Sequence, residues 1–235
     1  DANSCYGGAF MEFIVAGRGQ SHHPAKSAGA GAAAQGEHGD HGDHHAHGSS
    51  PPADSFPIRD KNDPLYPCSV LETRYQQSCY GMQAGIIIET TGPDFGKIAE
   101  ACDGAPVSMR PACYQGIGTY VSGFTVRDAD KAISHCSRGN PDYAAWCYVG
   151  VVKNFIDVTS LPSDGVDFCQ RLADRKYSVP CYNAIGEQIA VLHRAIEDRS
   201  TECARMPADF VNVCRYGAAL GGSRPPELTP FMPEG

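Results

Sequence analysis

The sequence predicts an all-α chain: a tandem helical-hairpin repeat solenoid with a repeat of about 34 residues and one disulfide per repeat. Three observations carry this expectation. Ten of the eleven cysteines fall into two evenly spaced series, the residues after the second series repeat, and helix start signals recur between them.

The first series is Cys68, Cys102, Cys136, Cys169 and Cys203, at intervals of 34, 34, 33 and 34 residues. The second is Cys79, Cys113, Cys147, Cys181 and Cys214, at intervals of 34, 34, 34 and 33. Around the second series the chain reads Cys79-Tyr-Gly-Met, Cys113-Tyr-Gln-Gly, Cys147-Tyr-Val-Gly and Cys181-Tyr-Asn-Ala. Cys5-Tyr-Gly-Gly has the same form but lies 74 residues ahead of Cys79, one repeat plus an insertion of 40. Small residues recur three positions after the second cysteine (Gly8, Gly116, Gly150, Ala184 and Gly217, with Met82 the exception) and allow close approach of helices.

Each repeat reads as a short helix, a turn and a longer helix. Pro141, with Asn140 as cap, opens a long helix over Tyr143 to Val158. Pro207 with Ala208-Asp209-Phe210 opens another. The short partners are Phe95 to Cys102, Ala129 to Ser137, and Val166 to Ala173 with Ser163 or Asp164 as cap. Eleven residues along one helix span about 16 Å, beyond the roughly 7 Å that a disulfide tolerates. The turns Asp103-Gly104-Ala105-Pro106 and Arg138-Gly139-Asn140-Pro141 bring the two cysteines of one repeat together. This pairs Cys102 with Cys113, Cys136 with Cys147, Cys169 with Cys181, and Cys203 with Cys214. For Cys68 and Cys79 an alternative stays open, because Ser69-Val-Leu-Glu72 has the form of a capping box that would place Cys79 far along one helix.

The chain divides into an N-terminal half-repeat helix (1–17), a His/Gly/Ala-rich insertion (18–56), the helical repeats (57–220) and a Pro/Gly-rich tail (221–235) that reads as unstructured. The 235 residues, 42% of them hydrophobic, suffice for a packed core. A net charge of −8 disfavours nucleic-acid partners, which demand clustered positive charge. The longest apolar run, Ala144 to Val152, is about half of a membrane span. No Cys-x-x-Cys is present, so zinc-ribbon and thioredoxin-type readings lose their signature. Abundant structural disulfides place the chain in a periplasmic or extracellular, oxidising compartment. The opening residues carry no basic and apolar signal, so the chain is expected to start after its export signal. Cys5 lacks an upstream partner, and three accounts stand for it: a longer native chain, a bridge outside this chain, or a free thiol.

The residues after the second cysteines resemble the tetratricopeptide pattern Trp-x2-Leu-Gly-x2-Tyr. Tyr114-x2-Ile117-Gly118-x2-Val121 and Tyr182-x2-Ile185-Gly186-x2-Ile189 have its spacing, and Tyr148-x2-Val151-Val152-x2-Phe155 is a looser copy. With a disulfide in each repeat, the chain is more similar to the Sel-one-like branch of exported cysteine-rich proteins. The resemblance implies helices that line a protein-binding face, where Gln83, Gln115, Lys153, Asn154, Asn183, Glu187 and Gln188 are the candidate contact residues. It implies no enzymatic activity, and no nucleophile elbow, zincin motif or phosphate-binding loop is present. His135 adjoins Cys136, whose expected bridge leaves no thiolate for a Cys-His pair, and His193 lies on the long helix of the fourth repeat. Tyr6, Tyr80, Tyr114, Tyr148 and Tyr182 form one column, read as a packing spine.

A second reading comes from the insertion. His22, His23, His38, His41, His44, His45 and His47 form a tract of imidazoles, with Asp40 and Asp43 between them. Neutral imidazoles are ligands for zinc and copper, and Glu12 on the preceding helix is a candidate additional ligand if buried. The plainer alternative is a solvated low-complexity linker. The expected function is therefore a binding scaffold or accessory subunit with a protein partner, or alternatively a copper- or zinc-handling protein.

Overall fold

The computed structural model describes residues 6–12 and 59–231. Ten α-helices occur among them: α1 (6–12), α2 (Thr73–Thr91), α3 (Phe95–Asp103), α4 (Arg110–Phe124), α5 (Ala129–Cys136), α6 (Ala144–Thr159), α7 (Pro162–Cys169), α8 (Arg175–Leu192), α9 (Ile196–Cys203) and α10 (Val211–Gly217). No strand occurs among the described residues. The long helices α2, α4, α6, α8 and α10 pack in chain order, each against the next, while α3, α5, α7 and α9 cover one side of that layer. This is the expected repeat architecture.

Local signals explain the boundaries. Asp94, Asp128 and Asp174 accept backbone N–H bonds in the first turns of α3, α5 and α8, which satisfies otherwise orphaned donors. The helix at α7 starts at Pro162, with Leu161 as its cap residue, four residues before the expected Val166. Proline at the first helical position is the cause, since its fixed φ suits that site and its missing N–H costs nothing there. Asn140 does not cap α6; its carboxamide instead accepts from the Asp142 N–H within the preceding turn.

All five bridges form within their own repeats, Cys68–Cys79 included, with Cα separations of 5.5 to 5.8 Å. The capping-box alternative fails at the first repeat for a visible reason. Ser69 donates to the Asp63 carboxylate instead, Cys68–Val70 forms a 3-10 turn, and α2 starts only at Thr73.

Small residues bring particular long helices together. A methyl on Gly118 would overlap the Cys147 carbonyl oxygen, and one on Gly150 would overlap that of Gln115, so α4 and α6 touch backbone to backbone. Gly186 and Gly217 do the same against Cys214 and Asn183, joining α8 to α10. Between α6 and α8 the corresponding positions are Val152 and Ala184, both buried, so that seam lacks the glycine pair. Gly8 makes no such approach, since a methyl there would meet nothing within 4 Å.

The tyrosine column is a spine, with Tyr80, Tyr114, Tyr148 and Tyr182 all buried. Each of three pairs with the aromatic four residues before the second cysteine of the next repeat. These are Tyr114–Tyr143 at 5.2 Å, Tyr148–Tyr177 at 5.3 Å and Tyr182–Phe210 at 4.1 Å. Tyr6–Tyr75 continues the series at 4.8 Å, so α1 meets α2 through the same aromatic contact, though without the close backbone approach of the glycine seams. The Tyr114 hydroxyl also donates to Asp103 and accepts from the Asn140 N–H, which ties two successive turns together. Burial pushes the Tyr182 phenol up to about 12, so the spine is neutral at ordinary pH.

His135 packs its ring against Phe95 and Phe124, and its Nδ1 is buried without a hydrogen bond. Burial first, and the Arg138 charge second, hold it below the usual histidine range. A folded-state pKa below the unfolded value of about 6.5 means that protonation favours the unfolded chain. This stabilisation is fully present above about pH 6.5 and is lost as pH falls through that value toward the folded pKa. Replacing His135 by Phe is expected to flatten the fall in urea midpoint between neutral and mildly acidic pH.

Candidate functional site

Four of the seven candidate contact residues converge. Gln115 on α4, Lys153 on α6, and Asn183 and Glu187 on α8 line one cleft of about 160 Å3, together with Trp146, Val149, Pro180, Ala184 and Leu228. The helix period places them there. Positions 146, 149 and 153 share one face of α6, and 180, 183, 184 and 187 share one face of α8. The cleft follows from the packing, because α6 and α8 lack the glycine pairs that close the neighbouring seams.

Across the cleft the Lys153 ammonium meets the Glu187 carboxylate at 2.6 Å, and the Asn183 side-chain amide donates to Glu187 at 2.8 Å. Two of the other candidates act between helices. Asn154 accepts from the Ser122 hydroxyl, joining α4 to α6, and the buried Gln188 donates to Asp157, joining α6 to α8. Burial raises the Asp157 carboxyl, opposed by that hydrogen bond and by the Lys153 charge.

Gln83 is a correction. It is fully buried, and its amide donates to the carbonyls of Pro64 and Tyr66, so it anchors the segment before α2 and meets no partner surface. The repeat register carried the signal: Gln83 stands four residues after its cysteine, where the other repeats have the buried Ile117, Val151 and Ile185.

The tail is a second correction. Residues Pro226–Phe231 form a 3-10 turn, Leu228 is 1% exposed in the core, and Glu227 pairs with Arg175 at the start of α8 at 3.1 Å. A single aliphatic anchor in a Pro-rich segment has no periodicity for sequence reading to detect. On the far side of this turn lies a larger cleft of about 600 Å3, where Trp146 recurs beside Tyr143, Tyr177, Lys176, Pro226 and Glu227.

Glu12 is exposed on α1, so the burial that would have made it a candidate additional ligand is not found. The seven insertion histidines, Asp40, Asp43 and Cys5 lie outside the described residues. Among the described residues no group of three or more His, Cys, Asp or Glu side chains is placed to hold a metal ion. None of the described helices is long and apolar enough to cross a membrane.

Fold and cleft together define the class: a disulfide-stapled helical-repeat protein with a polar-rimmed groove on its long-helix face. No protein family, curated protein or solved structure matches the chain.

Proposed function

We propose that the chain is an exported binding scaffold, a tetratricopeptide-like and Sel-one-like accessory subunit whose partner protein docks on the long-helix face at the groove between α6 and α8. The convergence of Gln115, Lys153, Asn183 and Glu187 around Trp146 carries this reading. A groove with aromatic and aliphatic walls and a few oriented polar groups is the usual form of a recognition site. Five structural disulfides suit an oxidising, exported setting. The stapled hairpins hold the groove rigid, which lowers the entropic cost of binding.

Lys153 provides the test. Lys153→Glu sets two carboxylates against each other across the groove, where the native pair stands at 2.6 Å. The expected result is a loss of partner affinity of about tenfold or more, with stability changed by no more than about 1 kcal/mol. Co-isolation of the natively expressed protein with its partner, compared between wild type and variant, reads the first quantity; urea unfolding reads the second. Undiminished co-isolation with Lys153→Glu contradicts the proposed docking face.

A further inference from the structure

The segment after α10 has the form of a ligand. Gly221 and Gly222 adopt φ of +82° and +110°, a left-handed backbone region that side chains disfavour, and a methyl at either would meet nothing nearby. They form a hinge between the repeats and the segment beyond. After the hinge, the Leu228 N–H donates to the Pro225 carbonyl and the Arg224 guanidinium reaches the Leu228 carbonyl, so the turn carries internal hydrogen bonds. Two neighbouring side chains engage the repeats: Leu228 is buried against the core, and Glu227 pairs with an Arg175 side chain that is itself 56% exposed. An apolar anchor beside one rim charge is the chemistry of a short peptide in a groove.

The groove is also larger than its occupant. Leu228 borders the cleft of about 160 Å3, Pro226 and Glu227 border that of about 600 Å3, and Trp146 lines both. The turn therefore lies between two clefts that meet at Trp146, and it fills neither. Building on the proposed docking face, we propose that the groove takes partner segments in which an acidic residue directly precedes a large aliphatic one. The chain's own Glu227-Leu228 holds this site until such a segment displaces it.

Trp146 is the only tryptophan in the chain, so its emission reports on the groove alone. The experiment uses the full chain, wild type and Leu228→Asp, titrated with a synthetic peptide of residues 222–233. Leu228→Asp is expected to shift Trp146 emission to the red while leaving helicity intact. It is also expected to bind the peptide about tenfold tighter than wild type, because an occupied groove lowers apparent affinity by its free fraction. A peptide with unrelated flanks around Glu-Leu is expected to bind Leu228→Asp as well, and the peptide with Asp in place of Leu to bind neither protein. Should Leu228→Asp lose helicity, Glu227→Lys in the full chain supplies the same comparison, because it sets the tail against Arg175 and leaves the groove itself unchanged. Equal emission and equal peptide affinity for wild type and variant overturn the inference, as does binding confined to the chain's own tail sequence. Failure here alongside an intact effect of Lys153→Glu on the partner removes the resident-ligand idea and leaves the docking face standing.

Discussion

Reduction of the five disulfides is expected to abolish most of the helical signal of the folded chain. Each bridge closes a loop of 11 or 12 residues. On the chain-entropy account such a loop is worth about 3 kcal/mol. Five together amount to about 15 kcal/mol, at the top of the roughly 5–15 kcal/mol that separates a whole domain from its unfolded state. The architecture makes this dependence physical, since a two-helix repeat cannot bury its own apolar face and gains a core only by stacking. Far-UV circular dichroism with and without a thiol reductant reads the outcome. Replacing one bridge, by Cys136→Ser with Cys147→Ser, is expected to cost about 3 kcal/mol by urea unfolding. Full helicity after verified reduction of all five contradicts the stapled-repeat account.

The second large effect is steric. Gly150→Leu is expected to destabilise the chain by about 3 kcal/mol or more, because the new side chain must enter a seam where even a methyl overlaps the Gln115 carbonyl and stands 3.1 Å from the Gly118 Cα. The obstruction is the α4 backbone, so no side-chain rotation relieves it. Gly123→Ala on the same pair of helices is the control. Gly123 lies exposed in α4 with nothing near an added methyl, and alanine there is expected to stabilise by up to about 1 kcal/mol through helix propensity. Urea midpoints of the two variants separate a packing seam from a general intolerance of glycine replacement.

Most of the fold was legible because covalent chemistry fixes spacing. A bridge within each hairpin demands the same short-helix, turn, long-helix geometry every time, and this geometry reappears as the interval of 33 or 34 residues. The aromatic ladder was less visible. The column four residues before the second cysteine holds Tyr75, Met109, Tyr143, Tyr177 and Phe210, so its chemistry is shared while its identity varies. The candidate site was legible where polar residues recur on one helix face, as for Asn183 and Glu187, and it failed at Gln83, which occupies a core column as a hydrogen-bonded polar residue. Leu228 and the contact of the tail with α8 were out of reach, because a single buried leucine after a glycine hinge leaves no pattern in the sequence.

The proposal that the long-helix face is the docking surface can be tested at single-residue resolution. A photo-activated cross-linking residue placed at Asn183, in the groove, is compared with one at Lys131 on α5, among the covering short helices. In the natively expressed protein the Asn183 position is expected to capture one defined partner and the Lys131 position none. Capture of that partner from Lys131 but not from Asn183 contradicts the account.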